Sequence, residues 1–300
     1  MAALHARGLR VLALLDPASR VEVPRKPYTV PLVTWTGHLR LRADDWLVLP
    51  EVTPLRTFET LARTPCRKVV HNQNPYYTFR GFPDVATMNA YGLSGGFACS
   101  QVTATMLRRW GSTTDWQVVH PPVLPQFRDG VSKRRQIAFM PRKRPEEVTT
   151  LRQLFAGLHP DLAAVPWVAI QDMSRPAVAR VLGESLVFAS LSRLEGLGLP
   201  PLEAMASGCL VCGFDGGGGK EYARPENGSW VADGDLEAFA HALASVLRLD
   251  PAAAAVRRAA GQATAASFSQ QRFEDELETA WRRLLGGRWP DYHRREAAAA

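Results

Sequence analysis

The chain has 300 residues, 46% of them apolar and 22% charged, the balance of a folded, water-soluble protein of about two domains, which excludes a mini-protein, a disordered tail and a membrane-embedded chain. Its 36 Lys and Arg against 29 Asp and Glu leave a net charge of +7; most of the cations are arginine, whose planar fork suits phosphate, so nucleic acid, an anionic membrane face and a phosphorylated small molecule stay open as partners. Four cysteines, Cys66, Cys99, Cys209 and Cys212, are too few for a disulfide scaffold of this length and point to a reducing, cytoplasmic setting.

Residues 1–15 carry Arg7 and Arg10 ahead of a short apolar stretch that stops at Asp16. That is too brief for a signal segment or a membrane span, and no later run reaches about 18 apolar residues, so no transmembrane segment is expected. Val- and Leu-rich runs then alternate with helix-period segments, the pattern of βαβ units around parallel sheets. Strands are predicted over 9–15, 46–50, 67–71, 96–100 and 116–120, with helices over 54–63 and 101–110. The stretch 120–127, HPPVLPQF, holds three prolines between Pro121 and Pro125; it can continue neither a strand interior nor a helix and reads as a linker. Beyond it the rhythm restarts with strands over 136–140, 165–170, 185–190 and 209–213. Helices are expected from Pro145, with Val148, Leu151, Leu154, Phe155 and Leu158 on one face, and over 175–183 and 200–207. Three helices, 235–249, 251–266 and 270–285, precede an Arg/Ala tail. Two α/β units joined by a proline linker leave a cleft between them for a small molecule.

Chemistry concentrates in residues 192–208, SRLEGLGLPPLEAMASG, which follow a predicted strand and so lie at its carboxyl end. Gly196 and Gly198 allow close backbone approach, and Pro200 suits the first position of a helix whose N-terminus would face a phosphate. Glu195 on the loop and Glu203 in the first helical turn could flank that anion, and carboxylates accept the two protons of a vicinal diol. Singly, Glu203 would complement the helix dipole and Glu195 would be solvated; the pair, with the glycines and prolines, describes a sugar-nucleotide site. The stretch Phe214 to Glu221, with four glycines from Gly216, could wrap a phosphate in a backbone nest, or be a flexible empty loop. It is not a Walker A loop, because Phe214 stands six before Lys220 and Glu221 follows the lysine.

Glu195 and Glu203, with seven residues between them in EGLGLPPLEAMASG, closely resemble the donor-site motif of retaining GT-B glycosyltransferases, in particular family 4, the glycosyl transferases group 1. The likeness runs from about Ile137 to the C-terminal helix. It implies an α/β fold of two Rossmann-like domains with parallel sheets and flanking helices. It further implies retaining, metal-independent transfer of a sugar from a nucleotide diphosphate sugar to an acceptor hydroxyl, without a cofactor. By this resemblance Glu195 contacts the donor sugar and Glu203 the ribose hydroxyls. The basic cluster after the 136–140 strand would neutralise the diphosphate: Arg142 matches the family's Arg, and Lys143 or Arg144 serves as second cation, although the family spaces the two types further apart. Gly196, Leu197, Gly198, Leu199, Gly217, Gly218 and Lys220 complete the expected donor site. A family histidine faces the donor sugar from a strand end; His71 is the candidate, with Asn72, Gln73 or Asn74 as alternatives. The expected division is 1–121 for an abbreviated acceptor-side domain, 122–268 for the donor-binding domain, 269–288 for a helix packing back toward the first domain, and 289–300 for a tail.

No metal is expected. Cys209 and Cys212 sit three apart in a strand, which sends their sulfurs to opposite faces, and the histidines lack ligand spacing. Asp235, in Asp233-Gly234-Asp235, is expected to cap the following helix, and Lys133-Arg134-Arg135 to be solvated. Because the first domain lacks the usual glycine-rich loop after its first strand, a non-catalytic nucleotide-sugar-binding or partner-binding protein of the same fold is the alternative. Nucleic-acid binding lacks any aromatic-interleaved basic motif and is expected to be non-specific only.

Overall fold

Runs such as Leu-Val-Cys-Gly-Phe at 210–214 bury both faces, and they assemble as parallel strands. A computed structural model of the chain describes residues 4, 9–15, 31–34, 40–130 and 132–286. Strands β1 (Ala13–Leu15) and β2 (Leu32–Thr34) form a separate parallel pair. The expected strand over 9–15 is thus shortened to three residues and stands outside the main sheet. The stretch 16–30, which follows the first strand without the usual glycine-rich loop, and the 289–300 tail lie outside the described residues.

The first main sheet is all parallel, in chain order: β3 (Trp46–Pro50), β4 (Arg67–Asn72), β5 (Gly95–Ala98) and β6 (Trp116–Val118). Helix α1 (Leu55–Ala62) links β3 to β4, and two short helices missed in the sequence, α2 (Thr78–Gly81) and α3 (Val85–Ala90), lie between β4 and β5. Helix α4 (Gln101–Arg109) starts where the sequence predicts, because the Ser100 hydroxyl caps it by accepting the Thr103 N–H at 2.9 Å. Strand β6 stops at Val118, two residues early, since the His120 N–H leaves the sheet for the Glu276 carboxylate at 2.7 Å.

The second sheet has the order β11-β10-β9-β7-β8, again all parallel. It comprises β7 (Arg134–Phe139), β8 (Trp167–Ala169), β9 (Ser185–Ser192), β10 (Leu210–Asp215) and β11 (Gly228–Trp230). Its helices are α5 (Pro145–Leu158), α6 (Arg175–Glu184), α7 (Leu199–Ala206), α8 (Leu236–Leu247) and α9 (Pro251–Ala266). From β7 the chain builds outward to β8 on one side and to β9 and β10 on the other. That reversal opens a crevice beyond the carboxyl ends of β7 and β9, where α/β sheets hold ligands.

Strand alternation divides the core into layers. Ile137, Phe139, Val187, Cys212 and Phe214 meet α5 and α8 on one face, while Ala138, Phe188 and Val211 meet Leu202, Met205 and Ala265 on the other. Cys209 and Cys212 fall in these opposite layers, and Asp235 caps α8 by accepting the Ala238 N–H at 2.9 Å. Lys133 departs from its expected solvation: its ammonium donates to the Leu182, Gly183 and Ser207 carbonyls and ties the ends of α6 and α7 together. The last helix, α10 (Gln270–Leu285), returns to the first sheet, where Leu277, Ala280 and Trp281 cover Val69, Phe97 and Val119. Among the described residues, no single helix is long and apolar enough to cross a membrane.

Candidate active site

Loop 193–198 joins β9 to α7 at the mouth of the crevice. Leu194 sits at φ +50°, a left-handed conformation that costs a non-glycine residue roughly 1–2 kcal/mol. Gly198, at φ +84°, is the N-cap of α7, and its carbonyl accepts the Tyr222 hydroxyl at 2.6 Å. The helix starts at Leu199, one residue earlier than expected, which puts Glu203 in the second turn. Pro200 and Pro201 both occupy the first turn, so the helix end offers an anion fewer N–H donors than an ordinary one.

The loop is held from several sides. Arg144 donates to the Ser192 carbonyl and Lys143 to the Arg193 carbonyl at 2.9 Å. Asn74 Nδ2 donates to Leu194 O at 2.8 Å, and the Ser100 and Thr103 hydroxyls both reach Gly196 O, at 2.6 and 3.0 Å. The Glu195 N–H donates to Gly216 O at 2.9 Å. A Cβ at Gly196 would collide with the Gln73 carbonyl and Cys99 Sγ, and one at Gly218 with the Glu195 and Gly196 backbone. Both glycines are there for close packing between chain segments.

Lys143 Nζ lies 2.6 Å from Glu195 Oε1, with both side chains less than one-fifth exposed. Two of the three ammonium hydrogens are engaged, by Glu195 and Arg193 O, which leaves one for a ligand. Arg142, on the same 3₁₀ turn (Pro141–Lys143), is exposed. Arg144 is not available as the second cation: its side chain is only 3% exposed, pairs with Glu147 at 2.6 Å and with Asp233, and stacks over Phe214. Arg144 follows the turn with extended φ of −145° and ψ of 53°, and its side chain runs to Glu147, Asp233 and Phe214 while Lys143 runs to Glu195.

Other expected site residues are more dispersed. Glu203 is raised to about 7 by burial, with Arg175 pulling the other way. Among the described residues no hydrogen bond or ion pair joins it to Glu195, Lys143 or Arg142. Leu197 turns its side chain into the core, and Leu199 packs against the same cluster, so only their backbones are free for a ligand. The Gly217 N–H, expected in a phosphate nest, donates instead to Asp215 Oδ1 at 2.6 Å, and Lys220 is exposed. His71 packs edge-on to Phe97 at 6.5 Å, and burial keeps its pKa below the usual histidine value. The residues just after it, Gln73 and Asn74, are the ones that meet loop 193–198.

One cluster was missed in the sequence. His120 bridges Glu221 at 2.9 Å through Nε2 and Glu276 at 2.9 Å through Nδ1, and Arg272 pairs with Glu276 at 2.7 Å. Glu221 also accepts the Gln101 and Val102 N–H groups at the start of α4, joining the glycine run to the first sheet. His120 meets its two glutamates across 101 and 156 residues of sequence, a separation no local spacing betrays. Burial opposes the charged histidine, but its two carboxylate partners outweigh burial and raise its pKa above 6.5; burial likewise pushes both glutamates up, and hydrogen bonds from His120 and backbone N–H groups bring them below 4.5. The histidine's contribution to stability is therefore complete below its unfolded pKa and lost as pH rises through the raised value; the glutamates' is lost as pH falls through theirs. The Tm gap between wild type and His120→Gln is expected to be largest at about pH 5–6 and to shrink as pH rises through the histidine's raised pKa. A gap independent of pH in calorimetric scans would contradict this.

Comparison with known proteins adds a consistent picture. The family described as glycosyl transferases group 1 matches residues 168–263. An alpha-1,6-glucosyltransferase of Actinobacillus pleuropneumoniae serotype 7 (strain AP76) is 32% identical over 248 residues, covering 79% of this chain and 75% of the relative. Among solved structures, sucrose-phosphate synthase from Thermosynechococcus elongatus superposes with a TM-score of 0.67 at 15% identity, over 95% of this chain and 91% of that one. An S. aureus TarM mutant solved with Fondaparinux, alpha-GlcNAc-glycerol and UDP gives 0.61 at 15% identity, over 77% of this chain; the chain spans about half its length, 54%. The two structures share with this chain the GT-B fold.

Proposed function

The chain belongs to the glycosyl transferases group 1, and from that premise we propose that it is a retaining, metal-independent glycosyltransferase using a nucleotide diphosphate sugar as donor. The observation that carries this reading is the Lys143–Glu195 pair, 2.6 Å apart, at the carboxyl ends of β7 and β9. Glu195 holds hydroxyls of the donor sugar, and Glu203 accepts the ribose diol. As the bond from the anomeric carbon to the diphosphate oxygen lengthens, charge grows on that oxygen; it is met by Arg142, the remaining Lys143 N–H and the start of α7. The acceptor hydroxyl bonds to the anomeric carbon on the face the diphosphate leaves and gives its proton to the departing phosphate oxygen. No side chain becomes glycosylated, and configuration is retained. The S. aureus TarM structure with UDP and the A. pleuropneumoniae relative's name make UDP-glucose and a glucoside acceptor the first pair to try.

The Glu203 pKa of about 7 gives this reading a pH signature. Ionisation of a buried carboxyl weakens the donor-free fold as pH rises through that value, whereas the diol requires the ionised form. Donor affinity measured by calorimetry is expected to strengthen from about pH 6 to pH 8, and Glu203→Gln to bind weakly with no such rise. Equal pH dependence in both proteins would remove Glu203 from the ribose.

The reading as a whole is tested by nucleotide release from UDP-, GDP- and ADP-sugars, with and without EDTA and a glucoside acceptor. Acceptor-stimulated, EDTA-resistant release from at least one donor is expected. Tight nucleotide binding without release from any donor would make the chain a binding protein.

A further inference from the structure

Glu195 is shaped by a residue that does not touch it. The peptide units on either side of it are gripped from the first sheet: Leu194 O accepts Asn74 Nδ2 at 2.8 Å, and Gly196 O accepts the Ser100 and Thr103 hydroxyls. The two grips differ in redundancy. Gly196 O has two donors, so loss of either leaves one; among the described residues Leu194 O has Asn74 alone, and Leu194 is the loop residue in the left-handed region.

Asn74 is built for that single task. It is 5% exposed, its Oδ1 accepts the Tyr76 N–H at 3.0 Å, and its own N–H goes to Glu51 Oε1 at 3.1 Å. With Oδ1 committed to a donor, the NH2 group must face the Leu194 carbonyl, so the orientation of the amide follows from its partners. The other atoms around Asn74 are fixed as well: Glu51 is buried at the end of β3, and the Asn74 backbone opens the 3₁₀ turn Pro75–Tyr77. A rigid donor thus stands against the one strained residue next to Glu195.

We propose that Asn74 is a positioning residue for Glu195, acting through the Leu194 carbonyl to hold loop 193–198 in the conformation that pairs Glu195 with Lys143. This rests on the role given to Glu195 under the proposed function. Removing the grip frees Leu194 to leave the left-handed region and lets the Glu195 carboxylate wander, while Glu203 and Arg142, which Asn74 does not touch, keep binding donor.

The test uses Asn74→Ala and Asn74→Asp in the full chain, with steady-state kinetics over a pH range and hydrogen exchange of the donor-free protein. Asn74→Ala should lower kcat about 10- to 100-fold with little change in donor KM, and exchange should quicken in 193–198 while β9 and β10 stay protected. In Asn74→Asp a carboxylate faces the Leu194 carbonyl, acceptor against acceptor, with buried Glu51 as the neighbouring titratable group. Its activity relative to wild type should recover as pH falls and the new side chain gains a proton to donate. The proposal is overturned if kcat of both variants stays within about twofold of wild type, if exchange in 193–198 is unchanged, or if exchange quickens throughout the second sheet. Should wild type release nucleotide from no donor, the proposed function fails instead, and the exchange data alone decide the clamp.

Discussion

Glu195→Gln protein is expected to fold normally and to lose sugar transfer by about 10²–10³-fold in kcat, roughly 3–4 kcal/mol of transition-state stabilisation. The substitution preserves volume, so packing survives. What goes is the negative charge that holds Lys143 at 2.6 Å and that, in the proposed mechanism, orients donor hydroxyls. An amide can still accept one hydroxyl proton, but it cannot balance positive charge developing at the anomeric carbon. Circular dichroism and Tm verify the fold, and acceptor-dependent nucleotide release supplies the rate. Wild-type turnover in this variant would move the reaction centre elsewhere.

Lys143→Met should fall by about 10²-fold, for two reasons that a double-mutant cycle separates. It removes the cation proposed to meet the leaving diphosphate, and it strips Glu195 of its partner in a site where both side chains are less than one-fifth exposed. Because each residue shapes the other, the Glu195→Gln/Lys143→Met double variant should be little worse than the poorer single. Full additivity of the two losses would mean that the pair acts independently and that the 2.6 Å contact has no part in turnover. Arg144→Met, by contrast, removes a guanidinium buried against Glu147, Asp233 and Phe214, and its effect belongs to stability.

Much of this architecture was legible because it is written in long, regular pieces. The apolar runs of β3, β4 and β9 and the stripe of α5 carry enough residues for their period to be read, and Ser100 and Asp235 signal the helices they cap. Strands β2 and β11 have three residues each, too few for a period, and α2 and α3 are four and six residues long. The pair Glu195 and Glu203 was legible for a different reason: a loop, a helix start and two carboxylates lie within one continuous segment. Choosing between Lys143 and Arg144 was not, since adjacent cations differ only in which way the backbone points them. The grip of Asn74 on Leu194 spans 120 residues, and Glu221 reaches α4 across 119. Such contacts depend on how the two sheets face each other, which no local pattern encodes.

The central claim is that sugar leaves and arrives on one face at the Glu195–Lys143 centre. Proton NMR of the first product formed from an α-linked UDP-sugar tests it most directly, read before mutarotation, with wild type and Glu195→Gln in parallel and EDTA present. The α-anomer appearing first with wild type, and forming about 10²–10³-fold more slowly with Glu195→Gln, is the predicted result; a β-configured first product, or equal formation by both proteins, would contradict it.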